Sequence, residues 1–343
     1  ALLASAPEPA PAQTSRYDFQ HFSEPAPGPA AAVGSYTNGC MTGASAVALD
    51  GVGYMVVRPG RNRYFGHPDM VTFLTDLGFE ARSVTDRDAG RLEDLETLHV
   101  VAPFMDSDGH YGSRIAFADG HVFFSAGDRQ RKDFGPDHIA QQLDTGYGSL
   151  MRLRMDGSIP DDNPFAGEEG VAAEIWSYGH RNIQALTVHP ETGDLWVADH
   201  GESGGDEINI IQRGGNFGWP LVSFGVDYRT GQPFAPEPSE SDEFITPVFN
   251  FGPGRDDNFP PSGMVFYTGE AFPEWQGDLL IGNLRHQYLG RFSVDGDAVD
   301  APERLLEGQG WRIRDVVVGP EDGFVYLISD GEGATLARLV PTD

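Results

Sequence analysis

The chain has 343 residues, of which 39% are apolar, and a formal net charge of −29 at pH 7. This charge argues against nucleic acid and anionic membranes as partners. No apolar run reaches the roughly 18 residues of a membrane span. The single cysteine, Cys40, excludes an intrachain disulfide. Lys132 is the only lysine, so arginine is almost the sole cation for binding carboxylates, which it can do with two hydrogen bonds.

Composition divides the chain into three parts. Residues 1–34 are rich in Ala and Pro and are predicted to be disordered. They are read either as the end of a secretory leader with a tether, which favours a periplasmic or secreted location, or as an ordinary disordered N-terminus. Residues 35–98 form an atypical segment that ends in a charged connector. Residues 99–343 consist of short apolar runs separated by Gly, Pro, Asp and Asn, which predicts an all-β fold.

The third part carries a loose internal repeat of strand, tight turn and second strand. The four units are RIAFADGHVFFSAGD, ALTVHPETGDLWVADH, MVFYTGEAFPEWQGDLLIGNL and DVVVGPEDGFVYLISDG. Recurrent units of this kind are typical of propeller blades with long insertions. The inner strands are predicted to end at Asp128, Asp199, Asn283 and Asp330, around one end of a central channel. These residues either face a common ligand or cap their own turns.

Several motifs in residues 99–343 together resemble the soluble aldose sugar dehydrogenases that use pyrroloquinoline quinone (PQQ). These enzymes are six-bladed β-propellers related to soluble glucose dehydrogenase. The motifs that carry the resemblance are GHYGSR, AGD, DGSIPDDNPF, EIWSYGHRN, HPETGDLW, HGESGGDEINII, GGNFGWP, PSGMVFYTGEAFPEW and WRIRDV. The resemblance therefore implies an all-β, six-bladed propeller type of fold.

The segment before residue 99 does not resemble that family. Residues 35–78 resemble the N-terminal part of the penicillin-insensitive murein endopeptidases, in GSYTNGC and RPGRNRYFGHP. The pattern from which that family draws its zinc ligands is not found in the chain. Compared with the six-bladed relatives, about one and a half blades are missing or atypical at the start. Either residues 35–98 fill the gap, or the ring has fewer blades, or the chain is a fusion that folds poorly.

The resemblance implies a catalytic centre built on His110, Asp128 and Arg181. His110 in GHYGSR matches the general base, and a histidine suits this role because its pKa lies near neutral pH. Asp128 matches the acid that orients the base. Arg181 is expected to stabilise the negative charge that develops on the quinone oxygens.

Five further residues match positions that hold the cofactor. They are Asn182, Asp206, Arg285, Arg312 and Arg314. Arg312 and Arg314 alternate along one strand and share a face. Two like charges there require either an anion between them or screening by solvent, and the resemblance assigns that anion as PQQ.

The loop HGESGGDE is the predicted metal site. Calcium prefers oxygen ligands, including backbone carbonyls, and the resemblance assigns the carbonyls of Gly201 and Glu202 to calcium. Many relatives have proline at the position of Glu202. The glutamate in this chain either loosens the loop or adds a carboxylate ligand. An acidic loop in solvent is the alternative.

The sequence thus predicts a PQQ- and calcium-dependent aldose dehydrogenase that oxidises the anomeric carbon and passes electrons to an external acceptor. Aromatic side chains are expected to line its sugar site, among them Trp219, Tyr267, Phe272 and Trp275. The alternatives are a non-catalytic propeller, suggested by the missing blades, and a cell-wall (murein) hydrolase, suggested by residues 35–78. The oligomeric state is not predicted.

Overall fold

The computed structural model describes residues 98–107, 109–254, 258–320, 322–331 and 334–342, together with five strands between residues 17 and 94. Within these residues the regular elements are β-strands and three short 3-10 helices, which confirms the all-β prediction. The strands are β1 (Tyr17–His21), β2 (Ser45–Leu49), β3 (Val52–Val56), β4 (Ser83–Asp86), β5 (Arg91–Asp94), β6 (Ile115–Ala118), β7 (His121–Ala126), β8 (Ser149–Arg154), β9 (Ile175–Tyr178), β10 (Ile183–Val188), β11 (Leu195–Asp199), β12 (Gly204–Ile210), β13 (Phe249–Pro253), β14 (Pro261–Phe266), β15 (Leu279–Asn283), β16 (Leu289–Phe292), β17 (Val294–Asp295), β18 (Ala298–Val299), β19 (Glu303–Leu305), β20 (Arg312–Val318), β21 (Val325–Asp330) and β22 (Leu336–Pro341). The 3-10 helices are η1 (Ile139–Gln141), η2 (Pro238–Glu240) and η3 (Pro273–Trp275).

Four antiparallel sheets of four strands form the propeller blades in the described part of the chain. Blade 1 has the order β6-β7-β8-β9, blade 2 has β10-β11-β12-β13, blade 3 has β14-β15-β16-β19, and blade 4 has β20-β21-β22-β1. The four predicted strand–turn–strand units are the first two strands of these four blades. Alternating apolar residues and tight turns therefore predicted each hairpin correctly.

The inner strand of each blade differs from the prediction. The first strands, β6, β10, β14 and β20, contact one another in that order from blade to blade, so they are the inner strands. Asp199, Asn283 and Asp330 end the second strands instead, opposite the first residues of β10, β14 and β20. The beginnings of the inner strands and the ends of the second strands consequently lie at one edge of the propeller.

Blade 4 takes its outermost strand from the N-terminal part of the chain. β1 pairs antiparallel with β22, with Tyr17 opposite Pro341 and His21 opposite Ala337. These five residues lie inside the segment 1–34 that was predicted to be disordered, and there the structure has a strand. β1 thereby covers the edge of β22 and becomes the outermost strand of the blade. Residues 1–16 and 22–34 of that segment lie outside the described residues.

Apolar side chains fill the spaces between neighbouring blades. Three buried clusters lie between blades 1 and 2, blades 2 and 3, and blades 3 and 4. Tyr267, Phe272 and Trp275 belong to the cluster between blades 3 and 4, and each is at most 2% exposed. Their predicted place in a sugar site is therefore wrong, because they form part of the hydrophobic core. No helix among the described residues is long and apolar enough to cross a membrane.

Leu280 offers a direct test of this packing. It is fully buried in the cluster between blades 3 and 4. Leu280→Ala is expected to lower the free energy of unfolding by about 2–5 kcal/mol, because it removes buried methyl groups and leaves a cavity. Denaturant unfolding followed by tryptophan fluorescence measures this loss. A change below about 1 kcal/mol would contradict the packing described here.

Blades 1 and 4 also contact each other through one side chain. The guanidinium of Arg114, just before β6, donates to the carbonyl oxygen of Arg314 at 3.2 Å and lies 3.3 Å from Asp315 Oδ2. These partners belong to the inner strand of blade 4. Arg114 thus links the first and the last of the four described blades.

Candidate active site

A cavity of about 360 Å³ opens where the inner strands begin. Its size falls within the range of small-molecule sites. His110 and Arg181 approach it from the segments before β6 and β10, and His200 from the end of β11. Its lining residues are His110, Gln130, Lys132, Arg181, His200, Gly201, Asp206, Tyr228, Asn258 and Pro260. Of the ten residues predicted for the site, His110, Arg181, Gly201 and Asp206 line this cavity.

The ring of His110 is held by Asp128. His110 Nδ1 lies 2.6 Å from Asp128 Oδ1, and Asp128 is fully buried. A carboxylate only accepts hydrogen bonds, so Nδ1 carries the hydrogen and Nε2 keeps its lone pair in the neutral ring. The other carboxylate oxygen accepts a hydrogen bond from Trp219 Nε1 at 2.9 Å, which fixes the acid in turn. His110 itself has a φ of 52°, an uncommon backbone conformation that often occurs at functional sites.

Burial and neighbouring cations lower the pKa of His110 from its usual value of 6.5. Burial has the largest effect, the positive charge of Arg181 adds to it, and the hydrogen bond to Asp128 opposes it. Burial acts to raise the pKa of Asp128, but the hydrogen bond and charge of His110 and the charge of Arg181 bring it below its usual value. The pair therefore consists of a neutral imidazole and an ionised carboxylate at neutral pH, as a general base requires.

Asp128→Asn tests this arrangement. The amide would hold the imidazole less firmly and would favour the wrong tautomer, because an amide NH₂ can donate to Nδ1. If His110 acts as a base, the rate of the reaction that uses it is expected to fall by about 10²–10⁴-fold, the range for the loss of general acid–base catalysis. Steady-state kinetics measure kcat. Activity within about threefold of wild type would show that Asp128 does not orient the base.

Arg181 is bound to an internal carboxylate. Its Nη2 donates to Glu202 Oε2 at 2.6 Å, and both side chains are buried. Lys132 Nζ contacts the same carboxylate, 2.6 Å from Oε1 and 2.5 Å from Oε2. The guanidinium also lies over the ring of Trp219, at 5.2 Å. Arg181 Nε is buried and has no hydrogen-bond partner in the described part of the chain, as expected of a cation that awaits an anionic ligand.

Asp199, at the end of β11, fixes the backbone of the Arg181–Asn182 pair. Its carboxylate accepts hydrogen bonds from Arg181 N at 3.0 Å and from Asn182 N at 2.6 Å. Asn182 Oδ1 in turn accepts a hydrogen bond from Gly112 N at 3.0 Å. Asn182 is not among the residues that line the cavity, and its amide oxygen holds the loop that carries His110.

Asp206 is a buried acid whose two oxygens are both engaged. Oδ1 accepts from Gly201 N and Oδ2 from Phe259 N, each at 3.0 Å. Burial raises its pKa to about 7, with the charge of Arg181 and the two backbone hydrogen bonds opposing the rise. Asp206 thereby joins the loop after β11 to the segment before β14 at the cavity wall.

The three remaining arginines lie outside the residues that line the cavity. Arg285 is exposed. Arg312 Nε donates to Asp330 Oδ1 at 2.8 Å, and Arg314 donates to Asp330 Oδ2 from Nε, at 2.8 Å, and from Nη2. The two like charges on β20 are thus met by an anion, as predicted, but the anion is Asp330 of the same chain. A cofactor carboxylate would have to share these arginines with Asp330.

The predicted calcium site has competing contacts. The Glu202 carboxylate is already bound by Arg181 and Lys132. Its carbonyl oxygen accepts the backbone N–H of Val226 at 2.8 Å. A divalent cation at this carboxylate would lie beside two positive side chains, so the residues in this conformation fit calcium poorly. The same two cations, Arg181 and Lys132, both line the cavity and fit an anionic group better.

Lys132 and His200 are among the lining residues that were not predicted from the sequence. Trp219 was expected to line the sugar site, but it is not among the residues that line this cavity and instead holds Asp128 from a distance of 91 residues along the chain. The status of Lys132 as the only lysine was one signal that pointed to a special position. His200 directly precedes the predicted metal loop, but a histidine next to glycine carries no signal of its own.

Comparison with known proteins identifies two families in the chain. The model described as Glucose / Sorbosone dehydrogenase matches residues 79–338. The model described as Penicillin-insensitive murein endopeptidase matches residues 32–111, the larger part of which lies outside the described residues. Both resemblances stated from the sequence are confirmed.

The similar proteins agree with the first match. Aldose sugar dehydrogenase YliI of Escherichia coli (strain K12) is 39% identical over 259 residues, which are 74% of this chain and 66% of that protein. Quinoprotein glucose dehydrogenase B of Acinetobacter calcoaceticus is 26% identical over 300 residues, covering 69% of this chain and 62% of that protein. The solved structure of the soluble aldose sugar dehydrogenase from Escherichia coli in the apo-form has a TM-score of 0.69 and 38% identity, and the match covers 75% of this chain and 72% of that chain.

The chain spans just under two thirds of the length of these two curated relatives, at 66% and 62%. The family match itself extends across all four blades, from before β6 to within β22. The cavity with its buried His110–Asp128 pair lies inside the matched region. The chain belongs to the glucose/sorbosone dehydrogenase family.

Proposed function

We propose that the chain oxidises aldose sugars at the anomeric carbon to lactones, with PQQ as its cofactor. The observation that carries this proposal is His110, held by Asp128, in one cavity with Arg181, whose Nε is buried without a hydrogen-bond partner among the described residues. A base and a cation at one cavity suit the removal of a hydroxyl proton beside a group that gains negative charge. The name of the quinoprotein relative supports the choice of cofactor.

Each part of the site has a role in this reaction. His110 Nε2 takes the proton of the C1 hydroxyl, and Asp128 holds the ring and stabilises the imidazolium that forms. Arg181 and Lys132 supply positive charge at the cofactor, and Arg312 and Arg314 are the further candidates for its carboxylates. When bound, PQQ supplies an ortho-quinone that accepts hydride from C1. An external acceptor would then take the two electrons, and the proton on His110 and the proton that left C1 as part of the hydride would be released to solvent.

Reconstitution tests the proposal directly. Purified apo-protein is mixed with a panel of aldoses and an electron-accepting dye, with and without PQQ, and the sugar product is identified. We expect dye reduction and lactone formation only when PQQ is present. Calcium dependence, which the family resemblance predicts, is tested separately by chelation and by metal analysis of the active protein. Equal activity with and without chelation would show that calcium is not required, and the proposal of PQQ as the cofactor would stand.

The pH profile is a further expected outcome. The pKa of His110 is lowered below 6.5 by burial and by Arg181. A base must be unprotonated, so kcat/KM is expected to stay level as pH falls toward 6.5 and to decline only below the lowered pKa. Stopped or continuous dye assays between pH 4.5 and 8 measure it. A decline centred above pH 7 would show that another group controls the reaction.

Two other functions are suggested by particular observations. A non-catalytic propeller is suggested by the four blades of the described part, and it predicts a folded protein that binds no quinone. A murein hydrolase is suggested by the match over residues 32–111, and zinc analysis with a peptidoglycan digestion assay tests it. Export to the periplasm or medium remains a prediction, which fractionation of cells that express the full gene would test.

A further inference from the structure

The ring of His200 is fixed in the tautomer opposite to that of His110. His200 Nε2 lies 2.6 Å from the carbonyl oxygen of Pro261. A carbonyl oxygen only accepts hydrogen bonds, so Nε2 carries the hydrogen. In the neutral ring Nδ1 then keeps its lone pair. His200 therefore presents an acceptor at Nδ1, whereas His110 presents one at Nε2.

The acceptor of His200 belongs to the cavity wall. His200 lines the main cavity and also a neighbouring void of about 20 Å³ behind Gly201. Within the described part of the chain, Nδ1 has no hydrogen-bond partner, and it is not among the polar atoms sealed from solvent. An acceptor held in place by a short bond on its other nitrogen is a preorganised binding group.

The Asp206 carboxylate at the cavity and the Glu202 carboxylate beside it are already engaged by the protein. Both oxygens of Glu202 contact Lys132, and both oxygens of Asp206 accept backbone N–H groups. A ligand that brings several O–H or N–H donors therefore meets two imidazole lone pairs, on His110 and His200, that have no partner among the residues the structure describes. His110 receives one donor, the hydroxyl that loses its proton. A second donor of the same ligand complex remains for His200.

We propose that His200 is a ligand-binding residue whose Nδ1 accepts a hydrogen bond from an O–H or N–H donor of the bound ligand. This inference rests on the proposed function. The donor is either a hydroxyl of the sugar other than the one at C1, or a ring N–H of the cofactor. Either donor would make the same kind of hydrogen bond to His200 Nδ1, and the test distinguishes the sugar from the cofactor as its source.

The test compares wild type with two variants and one control. His200→Leu removes the acceptor, and His200→Gln keeps an amide that can donate to Pro261 and accept from the ligand. His189→Gln is the control, because His189 lies at the opposite end of the same β10–β11 hairpin, away from the cavity. Thermal unfolding of all four proteins verifies that each is folded.

Two binding measurements identify the source of the donor. We expect His200→Leu to weaken one of them by roughly 3- to 10-fold, as for the loss of one hydrogen bond, and His200→Gln to restore most of it. A higher Kd for PQQ in the apo-protein, measured by equilibrium dialysis, assigns the donor to the cofactor. A higher KM for aldoses with an unchanged Kd for PQQ assigns it to the sugar. Values for His200→Leu that match wild type and the control in both measurements overturn the proposal.

Nitrogen-15 NMR of the histidine rings separates this proposal from the function on which it rests. We expect His200 to be the Nε2–H tautomer and His110 the Nδ1–H tautomer in the apo-protein. Addition of PQQ or of saturating aldose is expected to shift the Nδ1 resonance of His200. If wild type neither binds PQQ nor oxidises aldoses, the proposed function fails. An Nδ1 resonance unmoved by both additions then rejects the His200 role as well, whereas a shift with aldose alone retains it for a sugar site.

Discussion

Replacing His110 with alanine is expected to lower kcat for aldose oxidation by about 10²–10⁴-fold, the usual contribution of a positioned general base. The protein should keep its fold, because His110 sits on a loop before β6 and not in a blade core. PQQ binding should change little, since Arg181 and Lys132 remain. Dye reduction by protein saturated with PQQ measures kcat, and equilibrium dialysis measures the bound cofactor.

The control for this prediction is His189→Gln, which removes an imidazole far from the cavity. It should leave kcat within about twofold of wild type. If His110→Ala retains more than a tenth of wild-type kcat, His110 is not the base. A partial recovery of activity by added imidazole would support the loss of a base over a distortion of the loop.

Replacing Arg181 with leucine is expected to have the second large effect, on both stability and quinone binding. Arg181 and Glu202 are 5% and 2% exposed. Removing one partner of a buried ion pair leaves an uncompensated charge, so the free energy of unfolding is expected to fall by about 3 kcal/mol. This value is at the low end for such pairs, because Lys132 still contacts Glu202. PQQ binding should fall by at least about 30-fold, as expected for the loss of a charge-assisted hydrogen bond.

A second substitution separates these two effects. In Arg181→Leu with Glu202→Gln, the buried carboxylate is gone, so most of the lost stability should return. Quinone binding should stay weak, because the cation is still missing. Denaturant unfolding and equilibrium dialysis measure the two quantities on the same samples. Recovery of both in the double variant would show that Arg181 serves only to neutralise Glu202.

Local sequence patterns predicted the hairpins, for physical reasons that operate over short distances, whereas the His110–Asp128 pair was inferred from the family resemblance. An apolar run, a turn such as Asp119-Gly120 and a second apolar run specify an antiparallel pair wherever it lies in the fold. His110 and Asp128 are only 18 residues apart and are joined by one such hairpin. Their contact therefore follows from the hairpin itself.

Contacts between blades could not be predicted in this way. Lys132 and Glu202 are 70 residues apart, on loops of different blades, and no local pattern relates them. The choice of β6, β10, β14 and β20 as inner strands depends on how whole blades pack. The burial of Trp275 likewise depends on blade packing, because the residue is part of the hydrophobic core only when blade 4 packs against blade 3.

Asp330 shows how a correct local argument led to an incomplete conclusion. Arg312 and Arg314 share one face of β20, so the requirement for an anion was sound. The cross-strand neighbour of Arg312 in β21 is Asp330, which supplies that anion. The register of β20 and β21, which is set by the Gly319–Phe324 turn, was needed to see this contact.

The measurement that tests the central claim most directly is a titration of the apo-protein with PQQ, followed by glucose-dependent dye reduction and by equilibrium dialysis. The account predicts activity that rises with PQQ and saturates at one cofactor per chain, and that is lost in His110→Ala while binding persists. Wild-type protein that is folded but binds no PQQ, or that binds it and oxidises no aldose, would contradict the account.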